Sequence, residues 1–184
     1  MAKHDVKKTT ITFSLDKNLI DEIESEASSQ GISVNARLNN ILTQFFNFQK
    51  IVQEYGEQIV PKKSFQFYID MIDEEDHVKH LEESIYEIIR VLIYQQNLPL
   101  TIKNIIDVFL KNGAITSGAF NSVQNLTDHN GNLIILVKHS YNLKWSRCCS
   151  KTLKNLFFNL FNFNVEYEVF SNSFILKFLE RNII

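Results

Sequence analysis

The stretch Thr10-Ile11-Thr12-Phe13-Ser14-Leu15 alternates polar and apolar side chains without a break. A period of two turns one face of an extended chain toward a core and the other toward water, and Thr, Ile and Phe suit a strand. Asp16 follows as an N-cap, its carboxylate able to accept from the first free amides of a helix. Leu19, Ile20, Ile23 and Ala27 then recur at helical spacing, and Gly31 stands at C′, where a positive φ costs glycine little. Ile32 is apolar and Ser33 is a second N-cap. Leu38, Ile41, Leu42 and Phe45 form the next apolar stripe.

A single short strand leaves its backbone donors and acceptors without partners, and nothing nearby in the sequence supplies them. The simplest partner is the same strand of a second chain, which gives a two-stranded antiparallel ribbon. Ile11, Phe13 and Leu15 then face the helices of a dimer, and Thr10, Thr12 and Ser14 face outward.

This order of alternating strand, cap, helix, Gly-apolar-Ser turn and second helix resembles the ribbon-helix-helix domain of the MetJ/Arc/CopG type, over residues 7–48 and without a gap. The resemblance implies that the ribbon enters the major groove of double-stranded DNA and that Thr10, Thr12 and Ser14 touch base edges. It also implies that the N-terminus of the second helix, at Ser33, Val34 and Asn35, docks on a DNA phosphate. Lys7, Lys8 and Arg37, with Lys3, would supply the remaining phosphate contacts. Ile11, Phe13, Leu15, Leu38, Ile41 and Leu42 would form the dimer core. Many family members carry Arg, Lys, Asn or Gln among the three outward residues, whereas this chain has only short hydroxyls, which discriminate bases less than a bidentate Arg does. A dimerisation module without DNA, or an ordinary strand of a larger sheet, is the competing reading of the same pattern.

The rest of the chain reads as a second folded part. The second helix runs on through Phe46 and Phe48, and Val60-Pro61-Lys62-Lys63 is the best linker candidate, since Pro disfavours helix just before it. The boundaries expected are therefore 1–50 for the ribbon-helix-helix domain, 51–64 for a linker or helix extension, and 65–184 for an α+β domain. Ser64–Ile72 fits a helix face and a strand equally well, and helix is preferred. Asp73 caps a long helix with Glu74, Glu75 and Asp76 in its first turn, matched to the positive end of the dipole. Thr101 caps another, with Ile102, Ile105, Ile106 and Phe109 at helical spacing. Phe120–Leu126 and Leu133–His139 flank Asp128-His129-Asn130-Gly131, and Asn-Gly is a strong hairpin signal. Lys144–Phe161 is amphipathic, and Val165–Phe170 with Phe174–Leu179 makes a second hairpin. That order implies an antiparallel ββαββ sheet with a helix across one face. The layout looks like prokaryotic ribbon-helix-helix regulators, archaeal ones among the candidates, in which such a second domain senses an effector, binds a protein partner or sets oligomeric state.

Charge and composition limit the alternatives. The chain holds 19 Lys+Arg against 21 Asp+Glu, but the balance is uneven: six and six over residues 1–50, five and eleven over 51–110, eight and four over 111–184. A near-neutral total therefore does not exclude a local cationic patch at the N-terminal end. No apolar run approaches the roughly 20 residues of a membrane span, and the first residues carry no apolar leader segment, so a cytoplasmic protein is expected. Five Gly and no phosphate-binding loop, G-x-S-x-G or paired-carboxylate pattern give no sign of an enzyme. His77 and His80 lie three apart on one helix, but no His-x-His, C-x-x-C pair or H-E-x-x-H accompanies them, so no metal or cofactor is expected and both are read as solvated. Cys148 and Cys149 read as small core fillers rather than a redox pair, and Trp145 as core rather than the wall of a ligand pocket.

The expected function is a homodimeric, sequence-specific transcriptional regulator, a repressor in its simplest form, with tetramer formation, effector and operator left open. The alternative is a dimeric, antitoxin-like interaction module whose C-terminal domain binds a protein partner.

Overall fold

The computed structural model describes residues 9, 11, 12, 14–50, 53 and 60–179. Over these described residues the chain is α+β, with six helices and a four-stranded antiparallel sheet. A first compact unit ends at Thr43 and a second begins at Gln44.

In the first unit α1 spans Lys17–Ser29 and α2 spans Val34–Gln44. Asp16 occupies the N-cap position with extended backbone, but its carboxylate accepts no hydrogen bond, contrary to the expected cap. Gly31, at φ +64°, closes α1. Its N–H donates to Ser28 O at 3.1 Å and that of Ile32 to Ala27 O at 3.0 Å, the paired closure that a left-handed C′ residue permits. Ser33 does cap α2: the Ala36 N–H donates to Ser33 Oγ at 3.2 Å. The expected strand over 10–15 is not formed by the residues described there. Thr9, Ile11, Thr12, Ser14 and Leu15 make no ladder. Only Ile23 and Ala27 are buried among the described residues of α1 and α2.

The second unit opens with a π-helical turn, Phe45–Gln49. Pro61 precedes α3 (Lys62–Met71), so half of the expected linker stretch is helical and Ser64–Met71 is helix rather than strand. Asp73 accepts from the Glu75 N–H at 2.9 Å and starts α4 (Glu74–Gln95). Asn97, at φ +51°, turns the chain out of it. Thr101 accepts from the Asn104 N–H at 3.1 Å at the head of α5, which is α-helical over Ile102–Asn104 and π-helical over Ile105–Ala114. The α-helical spacing expected there is thus replaced by the wider winding. Ile105, Ile106, Val108, Phe109 and Leu110 are all buried, and Asp107 and Lys111 stay partly exposed as an ion pair on the other side.

The strands are β1 (Ser122–Thr127), β2 (Leu133–Lys138), β3 (Val165–Phe170) and β4 (Ser173–Phe178), in spatial order β1-β2-β4-β3. Between β2 and β3 lies α6 (Leu143–Phe161), begun where Asn142 Oδ1 accepts from the Trp145 N–H at 3.1 Å and ended by Asn162 at φ +52°. Both expected hairpins and the helix between them are present, with ends displaced by one or two residues. Asp128 fixes the first hairpin loop. Its Oδ1 accepts from the N–H groups of Asn130 and Asn132 at 2.9 Å each, and its Oδ2 from the Asn132 side-chain amide at 2.9 Å and from Lys177 at 3.0 Å. These donors, the Asn132 side chain foremost, hold the carboxyl well below the usual range.

The register places Leu133 opposite Phe178, Ile135 opposite Leu176 and Val137 opposite Phe174. This set faces α6, which contributes Trp145, Leu153, Leu156 and Phe157 to the buried core. On the other strand phase, Ile134, Leu136 and Ile175 are half-buried. The π-helical part of α5 packs on β1, and α6 on β3 and β4. No described helix is long and apolar enough to cross a membrane.

Candidate functional site

In the first unit, Thr10 and Phe13 of the expected ribbon, and Lys3, Lys7 and Lys8 of the expected phosphate set, lie outside the described residues. Thr12 and Ser14 are exposed, and so is Ile11, at 76%. Leu15, Leu38 and Ile41 are half-buried, and Leu42 is 42% exposed. Of the expected dimer core, none of the five described residues is buried in the single chain.

Ser33 uses its hydroxyl on the Ala36 amide, while the amides of Val34 and Asn35 belong to the first turn of α2 and have no carbonyl four residues back inside the helix. Val34 and Asn35 are both exposed. Arg37, expected on a DNA phosphate, is paired with α1 in this structure. Its Nη2 lies 2.6 Å and its Nε 2.7 Å from Glu26 Oε2, so the guanidinium is engaged by α1. The residue that sequence reasoning missed is therefore Glu26. A signal existed in the acidic face of α1, but pairing across the Gly31 turn depends on an interhelical geometry that spacing does not give.

The second unit buries His77, Asn132, His139, Ser146, Ser150 and Thr152. The Tyr141 N–H donates to His139 Nδ1 at 3.2 Å, which leaves the ring proton on Nε2 to donate to Ser146 Oγ at 2.7 Å. The Ser146 hydroxyl in turn donates to Phe170 O at 2.7 Å. His139 and Ser146 are both buried, and burial pushes the imidazole down to about 4. This polarity is the reverse of a nucleophile and its base: the histidine gives a proton to the serine, whose own proton goes to a carbonyl. The chain of bonds joins the end of β2, α6 and the end of β3.

The expectation that His77 is solvated is wrong. His77 is 6% exposed and its ring centroid is 5.6 Å from that of Trp145, because α4 packs on α6 and turns this side of its first turns inward. His80, three residues on, is exposed, so the two do not share a site. No group of three or more His, Cys, Asp or Glu among the described residues is placed to hold a metal. His77 Nδ1 is the one buried side-chain nitrogen or oxygen without a hydrogen-bond partner among the described residues. Burial first, then the nearby Lys144 and His80, lower the pKa of His77. Cys148 and Cys149 are buried free thiols, pushed up to about 11 and higher still by burial, which disfavours the thiolate. Trp145 packs among Phe65, Tyr141 and His77, with centroids 5.2, 5.5 and 5.6 Å away. It is core.

Comparison with known protein families, with curated proteins and with solved structures finds no match to this chain.

Proposed function

We propose that this chain is a cytoplasmic, homodimeric, sequence-specific DNA-binding regulator of transcription. Two copies pair Thr10–Leu15 as an antiparallel ribbon that enters the major groove, with Thr10, Thr12 and Ser14 toward base edges. The first turn of α2 at Ser33, Val34 and Asn35, with Lys7 and Lys8, meets phosphates. The observation that carries this reading is the incomplete core of the first unit. Two helices joined by the Gly31 turn bury only Ile23 and Ala27 among the described residues, beside an alternating segment whose Ile11 stands in solvent. A second copy supplies both the missing strand partner and the missing apolar cover.

Fluorescence anisotropy of random double-stranded DNA at low salt, together with the solution mass, tests it. A dimer that binds, with an affinity falling steeply in salt, is expected. A monomer, or a dimer with no DNA affinity, overturns it.

The engagement of Arg37 by Glu26 and the hydroxyl-only ribbon favour a second reading, a dimeric antitoxin-like module whose second unit binds a protein. Recovery of a stoichiometric protein partner from a chain without DNA affinity would decide for it.

A further inference from the structure

The covered face of the sheet is not covered throughout. It is apolar on β2, on β4 and at Val123 of β1, but turns polar farther along β1, where Asn125 stands opposite Ile135 and is exposed. Above this edge, within the second unit, a cleft of about 1110 Å³ opens. Its apolar lining combines the register pair Leu133 and Phe178 with Ile106 of α5 and with Phe161 and Phe163 at the end of α6. The volume is on the scale of small-molecule sites, and the mix of apolar wall and few polar groups is what such sites show.

The charges of the lining are Lys103, Asp107 and Lys111, all on α5. Asp107 lies 2.8 Å from Lys103 and 3.0 Å from Lys111, so two cations share one carboxylate and one positive charge is left over. The two lysines hold the Asp107 carboxyl below its ordinary range despite the opposing effect of burial, so this carboxylate stays ionised and does not add a second cationic excess near neutral pH. The Asn125 and Asn164 carboxamides also line the cleft and make no hydrogen bond among the described residues, which leaves donors and acceptors available at its mouth.

We propose that this cleft binds a small apolar molecule bearing one carboxylate, with its body against Leu133, Phe178 and Phe161 and its head between Lys103 and Lys111. A cationic head would meet the excess lysine charge and a neutral one would leave it unused. The inference concerns the second unit and stands independently of DNA binding.

The test displaces the fluorescent apolar anion 1-anilinonaphthalene-8-sulfonate from the full chain at neutral pH, with decanoate, decan-1-ol and decyltrimethylammonium below their aggregation limits. Decanoate is expected to compete about tenfold better than decan-1-ol, with the cation weakest. The double variant Lys103→Ala/Lys111→Ala should lose about tenfold for decanoate and leave decan-1-ol unchanged, a difference that a merely destabilised fold would not produce. Asn125→Phe, which fills the exposed edge, should weaken all three, with far-ultraviolet circular dichroism showing the fold retained. Equal competition by decanoate and the cation, or undiminished decanoate binding by the double variant, overturns the proposal. Decanoate binding by a chain that fails to bind DNA would retain this site and remove the regulator reading, and the converse result would do the reverse.

Discussion

Arg37 of α2 and Glu26 of α1 form a 2.6 Å ion pair across the Gly31 turn, with a second donor of the same guanidinium on the same carboxylate oxygen. The pair removes from the surface one of the cations that a phosphate contact would use. Glu26→Gln should release Arg37 and delete one negative charge close to it. In salt titrations the slope of log Kobs against log salt should steepen by about 0.9, one additional phosphate neutralised. Stability should change by less than about 1 kcal/mol, because both partners are partly in water. An unchanged slope would place Arg37 away from the DNA.

Base-edge and phosphate contacts should separate cleanly at the ribbon. Thr12→Ala should weaken binding to a selected operator by about 1–3 kcal/mol at most and leave random DNA unaffected. Lys8→Ala should weaken both alike and flatten the salt slope by about 0.9. Parallel anisotropy titrations on the two DNAs read both outcomes.

His139 makes stability pH-dependent. Its folded pKa is about 4, against 6.5 for the free side chain, so the unfolded chain takes up a proton that the folded site refuses. Stability from this group is complete above pH 6.5, declines as pH falls toward 4, and then levels off after a loss of about 3 kcal/mol. His77, lowered in the same direction, adds to the decline. Urea unfolding followed by the single Trp, Trp145, at several pH values measures it. His139→Gln should flatten most of the slope between pH 6.5 and 4 while lowering stability at pH 7.5, since the bonds from Tyr141 N–H and to Ser146 Oγ are disturbed.

The unpartnered Nδ1 of His77 costs desolvation without a compensating bond. His77→Phe keeps a ring beside Trp145 and removes the polar atom. The variant should be as stable as the parent or more stable, by up to about 2 kcal/mol, by the same urea assay. A loss above 1 kcal/mol would mean that the nitrogen has a partner in solution.

Elements with strong local signals were legible in the sequence, and those whose state depends on distant packing were not. Asp128-His129-Asn130-Gly131 and the Lys144–Phe161 pattern define a hairpin and a helix by short-range chemistry, and both are present. His77 lies in a run of acidic residues that reads as solvated, and its burial comes from α6, some seventy residues away in sequence. Around Ile105–Leu110 buried apolar residues fill every position but Asp107, and their spacing could not tell π from α winding. The Thr10–Leu15 alternation predicts a strand, and the described residues there form none. The cleft left no linear signature, because Lys103, Asn125 and Phe178 meet only through the sheet order.

That order, β1-β2-β4-β3, also has a kinetic consequence. Each hairpin is local and can close within microseconds. The central pairing cannot: Lys138 meets Ser173 only after the intervening chain, α6 included, has been looped back. A helix formed early shortens that loop, so the slow step of folding should be the docking of the two hairpins against a preformed α6, and substitutions that weaken this helix in isolation should slow folding more than they speed unfolding.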